Sequence, residues 1–337
     1  MKSPPVVAIV GVTGAVGVEF LQLMMQRQFA VADLRCYASA RSAGKTVQFK
    51  NRQIPVQELT ESSFTGVDIA FFSAGSGISK KFAPLAVRAG AVVIDNSSAF
   101  RMDPSVPLVV PEINPQAIAG HQGVIANPNC STIIGIVPLW PIHRVNRIER
   151  LIAATYQAAS GAGAAAMQEL MASTKAMLED RAYPPKVLPH PYAFNVFSHN
   201  SAMDAATGYN EEELKMLRET RKIFGDPDIR VSATCVRVPV LRAHCEALTF
   251  ECSRPISPAE VRAILSQAPG VKIVDDPARN YFPMPRDASG QGDVLVGRIR
   301  QDMSDPRGHS IAMFVAGDQL LKGAALNGLQ IAELLVR

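Results

Sequence analysis

The apolar positions along this chain fall into two textures. Up to about residue 126, short β-branched runs alternate with stretches of helical periodicity. Residues 5–10 read as a strand buried on both faces, the kind found inside a parallel sheet. They lead into Gly11-Val12-Thr13-Gly14-Ala15-Val16-Gly17 and then into the helical pattern Glu19-Phe20-Leu21-Gln22-Leu23-Met24. Further strands are expected at residues 34–38, 67–72 and 91–95, with a helix over 80–89. Strands and helices in alternation predict a doubly wound α/β domain.

After residue 129 the pattern changes. A helix containing Trp140 and His143 precedes a strand at 150–157, a long Ala/Met-rich helix to about Arg181, and a Pro-rich connection over 183–191. A helix dense in paired charges runs from Asn210 to Phe224. Two longer strands, 230–238 and 244–252, are separated by a short turn and predict an antiparallel sheet, unlike the first half. Strands at 294–299 and 311–315 and an amphipathic helix over 318–336 close the chain. Two domains of ~150 residues also suit its 337 residues.

Composition narrows the function classes. With 47% hydrophobic and 19% charged residues, the chain is an ordinary globular protein. A net charge of +4, from 34 basic and 30 acidic residues, is too mild to suggest a nucleic-acid or membrane partner. Aromatic residues, at 6%, offer no stacking platform for single strands. No apolar run approaches the ~18 residues that span a bilayer. The N-terminal lysine and apolar run do not read as a signal peptide, because glycines at fixed spacing follow at once. Five cysteines without C-x-x-C spacing do not read as a disulfide framework or a zinc site, and the histidines show no metal spacing. A reducing compartment fits best.

Strand, glycine turn and helix in succession open a dinucleotide-binding unit, with the helix N-terminus drawing phosphate charge. The spacing is G-x-x-G-x-x-G, which a plain strand-to-helix turn would also explain. The next strand decides the matter. It ends not in an acid but in Ser39-Ala40-Arg41-Ser42-Ala43-Gly44-Lys45, whose hydroxyls and cations suit a 2′-phosphate and so favour NADP over NAD. Candidate cofactor residues are Gly11, Thr13, Gly14, Ala15, Val16, Ser39, Arg41 and Ser42, with Ser73 and Gly75 after the third strand. Cys130, in Asn127-Pro128-Asn129-Cys130-Ser131-Thr132, follows a Pro-Asn break and opens a helix, where dipole and unpaired N–H groups favour thiolate. By itself it could be a small buried hydrophobe.

Six stretches together resemble the aspartate-β-semialdehyde dehydrogenase family. They are residues 11–17, 39–45, Asp-Asn-Ser-Ser-Ala-Phe-Arg at 95–101, 127–132, Thr-Tyr-Gln-Ala-Ala-Ser-Gly-Ala-Gly at 155–163, and Ala-Thr-Cys-Val-Arg-Val-Pro-Val-Leu-Arg-Ala-His at 233–244. The resemblance runs from the glycine turn to the last helix. It implies a Rossmann-type NADP-binding domain over 1–128, completed by 318–337, and an α+β catalytic and dimerisation domain over 129–317. The second domain would carry a largely antiparallel sheet like that of glyceraldehyde-phosphate dehydrogenases.

The same resemblance implies Cys130 as nucleophile, His244 as general acid/base, and Gln157 as a catalytic and substrate contact. It makes Arg237 the carboxylate clamp, Glu212 the partner of the substrate ammonium, and Arg101 with Lys215 the phosphate ligands. Ser160, Gly161 and Gln319 would touch the cofactor. Taken alone, Glu212 and Lys215 are a solvated, salt-bridged helix face, and His244 a satisfied strand histidine.

The implied reaction is NADPH-dependent reductive dephosphorylation of L-4-aspartyl phosphate to L-aspartate 4-semialdehyde through a Cys130 thioester. It serves lysine/diaminopimelate, threonine, methionine and isoleucine synthesis. The motifs at 155–163 and 233–244 argue against N-acetyl-glutamyl-phosphate reductases and glyceraldehyde-type dehydrogenases. The family forms homodimers, sometimes tetramers, in cytoplasm, or in the plastid stroma once a transit segment is removed. No metal is implied. His244 is followed by Cys245 where many bacterial relatives have serine, placing a second thiol beside the proposed base.

Overall fold

In a computed structural model that describes residues 4–336, the chain divides into two units, Met1–Asn129 with Ala324–Arg337, and Cys130–Gly323. The ends of the expected nucleotide domain, residues 1–3 and 337, lie outside the described residues. The boundary falls inside the hexapeptide, between Asn129 and Cys130.

The first unit carries strands β1 (Val6–Val10), β2 (Asp33–Ala38), β3 (Thr46–Phe49), β4 (Arg52–Glu58), β5 (Ile69–Phe72), β6 (Val92–Asp95) and β7 (Val124–Ala126), with helices α1 (Ala15–Gln26) and α2 (Ser76–Arg88). They form one sheet in the order β3-β4-β2-β1-β5-β6-β7, parallel except where β3 pairs antiparallel with β4. β1 lies between β2 and β5, so both its faces are covered, and its unbroken apolar run follows from that. The β3–β4 pair has no counterpart among the expected strands. It alternates exposed polar with buried apolar residues at the sheet edge and turns at Lys50, whose φ is +52°.

Glycines set how closely the β1–α1 turn packs. Gly11 has φ +88°, and a Cβ there would stand 2.4 Å from the Ser73 carbonyl oxygen. On the C-terminal helix Leu326–Val336, a Cβ at Gly328 would meet the Phe20 ring at 2.9 Å, so a side chain there would hold that helix off α1.

The second unit contains α3 (Cys130–Val145), β8 (Ile148–Gln157), α4 (Ala164–Leu178), β9 (Phe197–Ser198), α5 (Glu211–Phe224), β10 (Arg230–Arg237), β11 (His244–Cys252), α6 (Pro258–Leu265), β12 (Val271–Ile273), α7 (Pro285–Ala288), β13 (Val294–Gln301) and β14 (Ser310–Gly317). Its sheet runs β12-β13-β14-β11-β8-β10-β9. Four of the six neighbouring pairs are antiparallel; β8–β10 and β12–β13 are parallel.

β10 and β11 are successive strands separated by six residues, yet they do not pair with each other. β8 lies between them, parallel to β10 and antiparallel to β11. Residues 238–243 arch over the end of β8, held by Val238 N–H to the Gln157 carbonyl (3.1 Å) and Ala159 N–H to the Val240 carbonyl (2.8 Å). α3 is buried from Ser131 to Leu139, which marks its first turns as interior, and its last turn reaches solvent. α5 is amphipathic. It starts with a reciprocal Asn210–Glu213 capping box and stops at Gly225 in the left-handed region, both signals readable in the sequence.

Candidate active site

In the first unit, the carboxyl ends of β1, β2 and β5 frame a cleft of about 460 Å³ whose lining includes Gly11, Thr13, Gly14, Ser39, Ser73 and Glu58. Five of these are expected cofactor residues. Ala15 and Val16 form the first turn of α1, and Gly75 precedes α2 at φ +90°. No side chain caps the start of α1, so its first N–H groups stay available for a phosphate. The cradle at Gly11 admits backbone only. Arg41 is exposed and Ser42 half-buried in the loop beyond β2, and neither lines the cleft. Glu58, a carboxylate at the end of β4, was not anticipated, because β4 itself was not.

Arg101 also belongs to the first unit. It is buried, and its guanidinium donates to the backbone carbonyls of Asn127 (3.0 Å) and Asn96 (2.9 Å). This shapes the turn that delivers the chain to Asn129.

In the second unit the insertion of β8 makes a row of side chains. Arg237 pairs with Gln157 across β10–β8, and His244 stands one position beyond the Cys245–Tyr156 pair across β8–β11. Gly317 on β14 faces His244 next along. Arg237, Gln157 and His244 are all buried, whereas Tyr156, on the other face, is exposed. A glycine closes the row tightly: a Cβ at Gly161 would lie 2.9 Å from His244 Nε2 and 3.0 Å from Arg237 Nη1.

Cys130 is the first residue of α3 and is partly exposed; the other four cysteines are buried. Burial pushes the thiols of Cys36, Cys245 and Cys252 up to about 12, and raises that of Cys235 as well, so these four stay protonated. A Cβ at Gly323 would stand 2.8 Å from that of Cys130, so a glycine also gives this thiol its room.

His244 is fully buried. Its Nδ1 accepts the Ala158 N–H at 3.0 Å, so the neutral ring carries its proton on Nε2, which has no partner among the described residues. Burial, with Arg237 nearby, pushes this imidazole down to about 3 and keeps it neutral. Gln157 Nε2 donates to Glu212 Oε1 at 3.2 Å, and Lys215 Nζ lies 3.2 Å from Glu212 Oε2. Glu212 is 4% exposed, so the pair is not a solvated helix face. Ser160 and Gln319 sit near His244: the Gln319 amide donates to the Ser160 hydroxyl and accepts the Ala243 N–H at 3.0 Å.

Two further features lie in this unit. Glu246, one row below His244 and opposite Thr155, is fully buried with no hydrogen bond to either oxygen among the described residues. A Cβ at Gly135 of α3 would stand 2.6 Å from its Oε2. Burial and neighbouring Glu212 raise this carboxyl well above the usual range. His199 Nε2 lies 2.8 Å from Arg237 Nη2. Both residues were missed because a single acid or histidine in sequence carries no sign of its partner. No group of three or more His, Cys, Asp or Glu among the described residues could hold a metal.

Comparison with known proteins shows what the chain as a whole is similar to. The family model described as semialdehyde dehydrogenase, NAD binding domain, matches residues 6–121, and the semialdehyde dehydrogenase dimerisation domain matches residues 139–322. The chain is 54% identical over 336 residues to the aspartate-semialdehyde dehydrogenase of Synechocystis sp., covering 100% of this chain and 98% of that protein. A solved aspartate semialdehyde dehydrogenase II of Vibrio cholerae, complexed with ASA, matches at TM-score 0.95 and 45% identity over 99% of this chain and 98% of that one. The Candida albicans aspartate semialdehyde dehydrogenase with NADP matches at TM-score 0.74 and 25% identity, covering 98% of each chain.

Proposed function

From the premise that this chain belongs to the aspartate-semialdehyde dehydrogenase family, we propose that it interconverts L-4-aspartyl phosphate and L-aspartate 4-semialdehyde, with NADP(H) as hydride carrier. The observation that carries this reading is the Arg237–Gln157–His244 row, in the same unit as a helix-opening thiol.

Cys130 Sγ attacks the acyl carbon of the aspartyl phosphate, phosphate leaves, and a thioester forms; one hard displacement becomes two easier steps. The start of α3 favours the thiolate that attacks and later leaves. NADPH, when bound, supplies the hydride that converts the thioester carbon to a thiohemiacetal. Collapse of the thiohemiacetal frees the semialdehyde and the thiolate. His244 serves as proton carrier through Nε2. Carrying its proton there in the resting state, it first donates a hydrogen bond to charge developing on oxygen or sulfur.

Arg237 clamps the α-carboxylate, Glu212 faces the ammonium, and Gln157 is fixed by Glu212 beside the reacting carbon. Lys215 and Arg101 hold the phosphate. The cleft of the first unit takes the dinucleotide, its phosphates on the α1 N-terminus, with Gly11, Thr13, Gly14, Ser39 and Ser73 against it. Arg41 and Ser42 meet the 2′-phosphate; Ser160, Gly161 and Gln319 complete the cofactor contacts. The second unit forms a homodimer. No helix among the described residues is long and apolar enough to cross a membrane, and the working place proposed is the cytoplasm.

A spectrophotometric assay in the oxidative direction tests the reading. NADPH is expected to appear from aspartate semialdehyde and NADP⁺ only when phosphate is present, and more slowly with NAD⁺. No NADPH, or a rate indifferent to phosphate, would sink the proposal.

A further inference from the structure

The residues immediately after β9 place three consecutive polar side chains against the Arg237 guanidinium and the backbone N–H of Glu212, the two residues assigned to the substrate's amino-acid end. Asn200 Oδ1 accepts from Arg237 Nε at 3.3 Å, and His199 Nε2 faces Arg237 Nη2 at 2.8 Å. The Ser201 hydroxyl accepts the backbone N–H of Glu212 at 3.1 Å. We propose that His199-Asn200-Ser201 is a positioning strap that fixes Arg237 and Glu212 relative to each other and so selects substrates carrying a free α-ammonium and α-carboxylate. The proposal rests on the functional reading above and adds to it residues that touch no reacting atom.

Donor and acceptor chemistry sets the direction of every bond. A guanidinium has five N–H groups and cannot accept, so His199 Nε2 must be the acceptor. Nδ1 faces both the Ser201 backbone N–H at 3.2 Å and the Ser201 hydroxyl at 3.1 Å; the shorter, charge-assisted Arg237 contact at 2.8 Å takes the ring's single acceptor, so the proton sits on Nδ1 and is directed to Ser201 Oγ. The strap is then continuous: the Glu212 N–H and the His199 Nδ1–H both donate to Ser201 Oγ, and His199 Nε2 accepts from Arg237. It ties the first turn of α5 to the end of β10.

The Arg237 N–H count shows what the strap prepares. Nε is used by Asn200, one Nη1 proton by the Ala158 carbonyl at 3.3 Å, and one Nη2 proton by His199. One N–H remains on each Nη, the paired fork that matches two carboxylate oxygens. Burial pushes the His199 imidazole down to about 4, with Glu212 opposing and Arg237 and Lys215 assisting, so the acceptor persists through neutral pH. A charged imidazolium in its place would lose the acceptor and repel Arg237.

Turnover of the wild-type chain with aspartate semialdehyde, phosphate and NADP⁺ is measured first; its absence refutes the functional reading and leaves the strap to the spectrum described below. Given turnover, His199→Ala is expected to raise KM for the semialdehyde about ten- to a hundredfold, as misplaced binding groups do. KM for phosphate and for NADP⁺ should move less than about twofold, since neither is held by Arg237. His199→Gln, whose amide oxygen can stand where Nε2 does, should recover most of the loss, and preference over a four-carbon semialdehyde lacking the α-amino group should fall in His199→Ala alone. An unchanged KM, equal losses in both variants, or a loss shared by all three substrates would overturn the strap. Independently of activity, ¹⁵N spectra should show His199 protonated on Nδ1 and bare at Nε2 from about pH 6 to pH 9. A proton on Nε2 would overturn it whatever the kinetics.

Discussion

The two seven-stranded sheets build their sites from different materials. In the first unit the cleft is made by what side chains leave out: Gly11 and Gly14 in the turn, small residues at Ser39 and Ser73, and an uncapped helix start. In the second unit the site is a row of large functional groups, Arg237, Gln157 and His244, made adjacent by strand order. The first site is therefore sensitive to added atoms, the second to exchanged ones. Both sites stand at strand ends: the cleft lies at the carboxyl ends of β1, β2 and β5, and the row is made by the last residues of β8 and β10 and the first of β11.

The sharpest break comes from an exchanged atom. Cys130→Ala should lower kcat by about a thousandfold or more, as loss of a nucleophile does, while NADPH binding followed by fluorescence is unchanged. Turnover near that of the wild type would refute the nucleophile. Next comes an added atom. Gly11→Ala forces a side chain to φ +88° with its Cβ 2.4 Å from the Ser73 carbonyl, and should cost about 2–4 kcal/mol in a denaturant melt. NADPH affinity should weaken while the semialdehyde KM holds. Normal stability and affinity would show that the turn does not need a bare backbone.

The smallest effect concerns the buried acid. Burial raises the Glu246 carboxyl well above its usual 4.5 in the fold, whereas in the unfolded chain it ionises near that value. The unfolded state then binds fewer protons than the folded one, so this group lowers stability as pH rises between those two values. Glu246→Gln does not titrate. Its melting temperature should match that of the wild type below about pH 4 and exceed it by a margin that widens as pH rises above that. A gap that is constant with pH would mean that the carboxyl is ionised in the fold.

How much of this was legible in the sequence follows the same division. β1, the glycine turn and α1 could be read directly, because a strand covered on both faces must be apolar and a turn with no room for a Cβ must use glycine. The β3–β4 pair could not, since its polar edge residues look like loop. In the second unit the strands 150–157, 230–238 and 244–252 were recognisable, but not that β8 inserts between β10 and β11. Periodicity reports burial of a strand, not the identity of its neighbours. The partnership of His199 with Arg237 was invisible for the same reason: 38 residues separate them, and neither residue type demands the other.

That insertion bears on when the chain becomes reactive. Two strands separated by six residues could zip early as a hairpin, but β10 and β11 cannot, because β8 must first come from far upstream to lie between them. Closing so long a loop is slow and belongs to the cooperative completion of the sheet. In a chain still emerging from synthesis, or one partly melted, Arg237, Gln157 and His244 are not yet adjacent. The row is thus a property of the completed sheet and of no local segment of the chain.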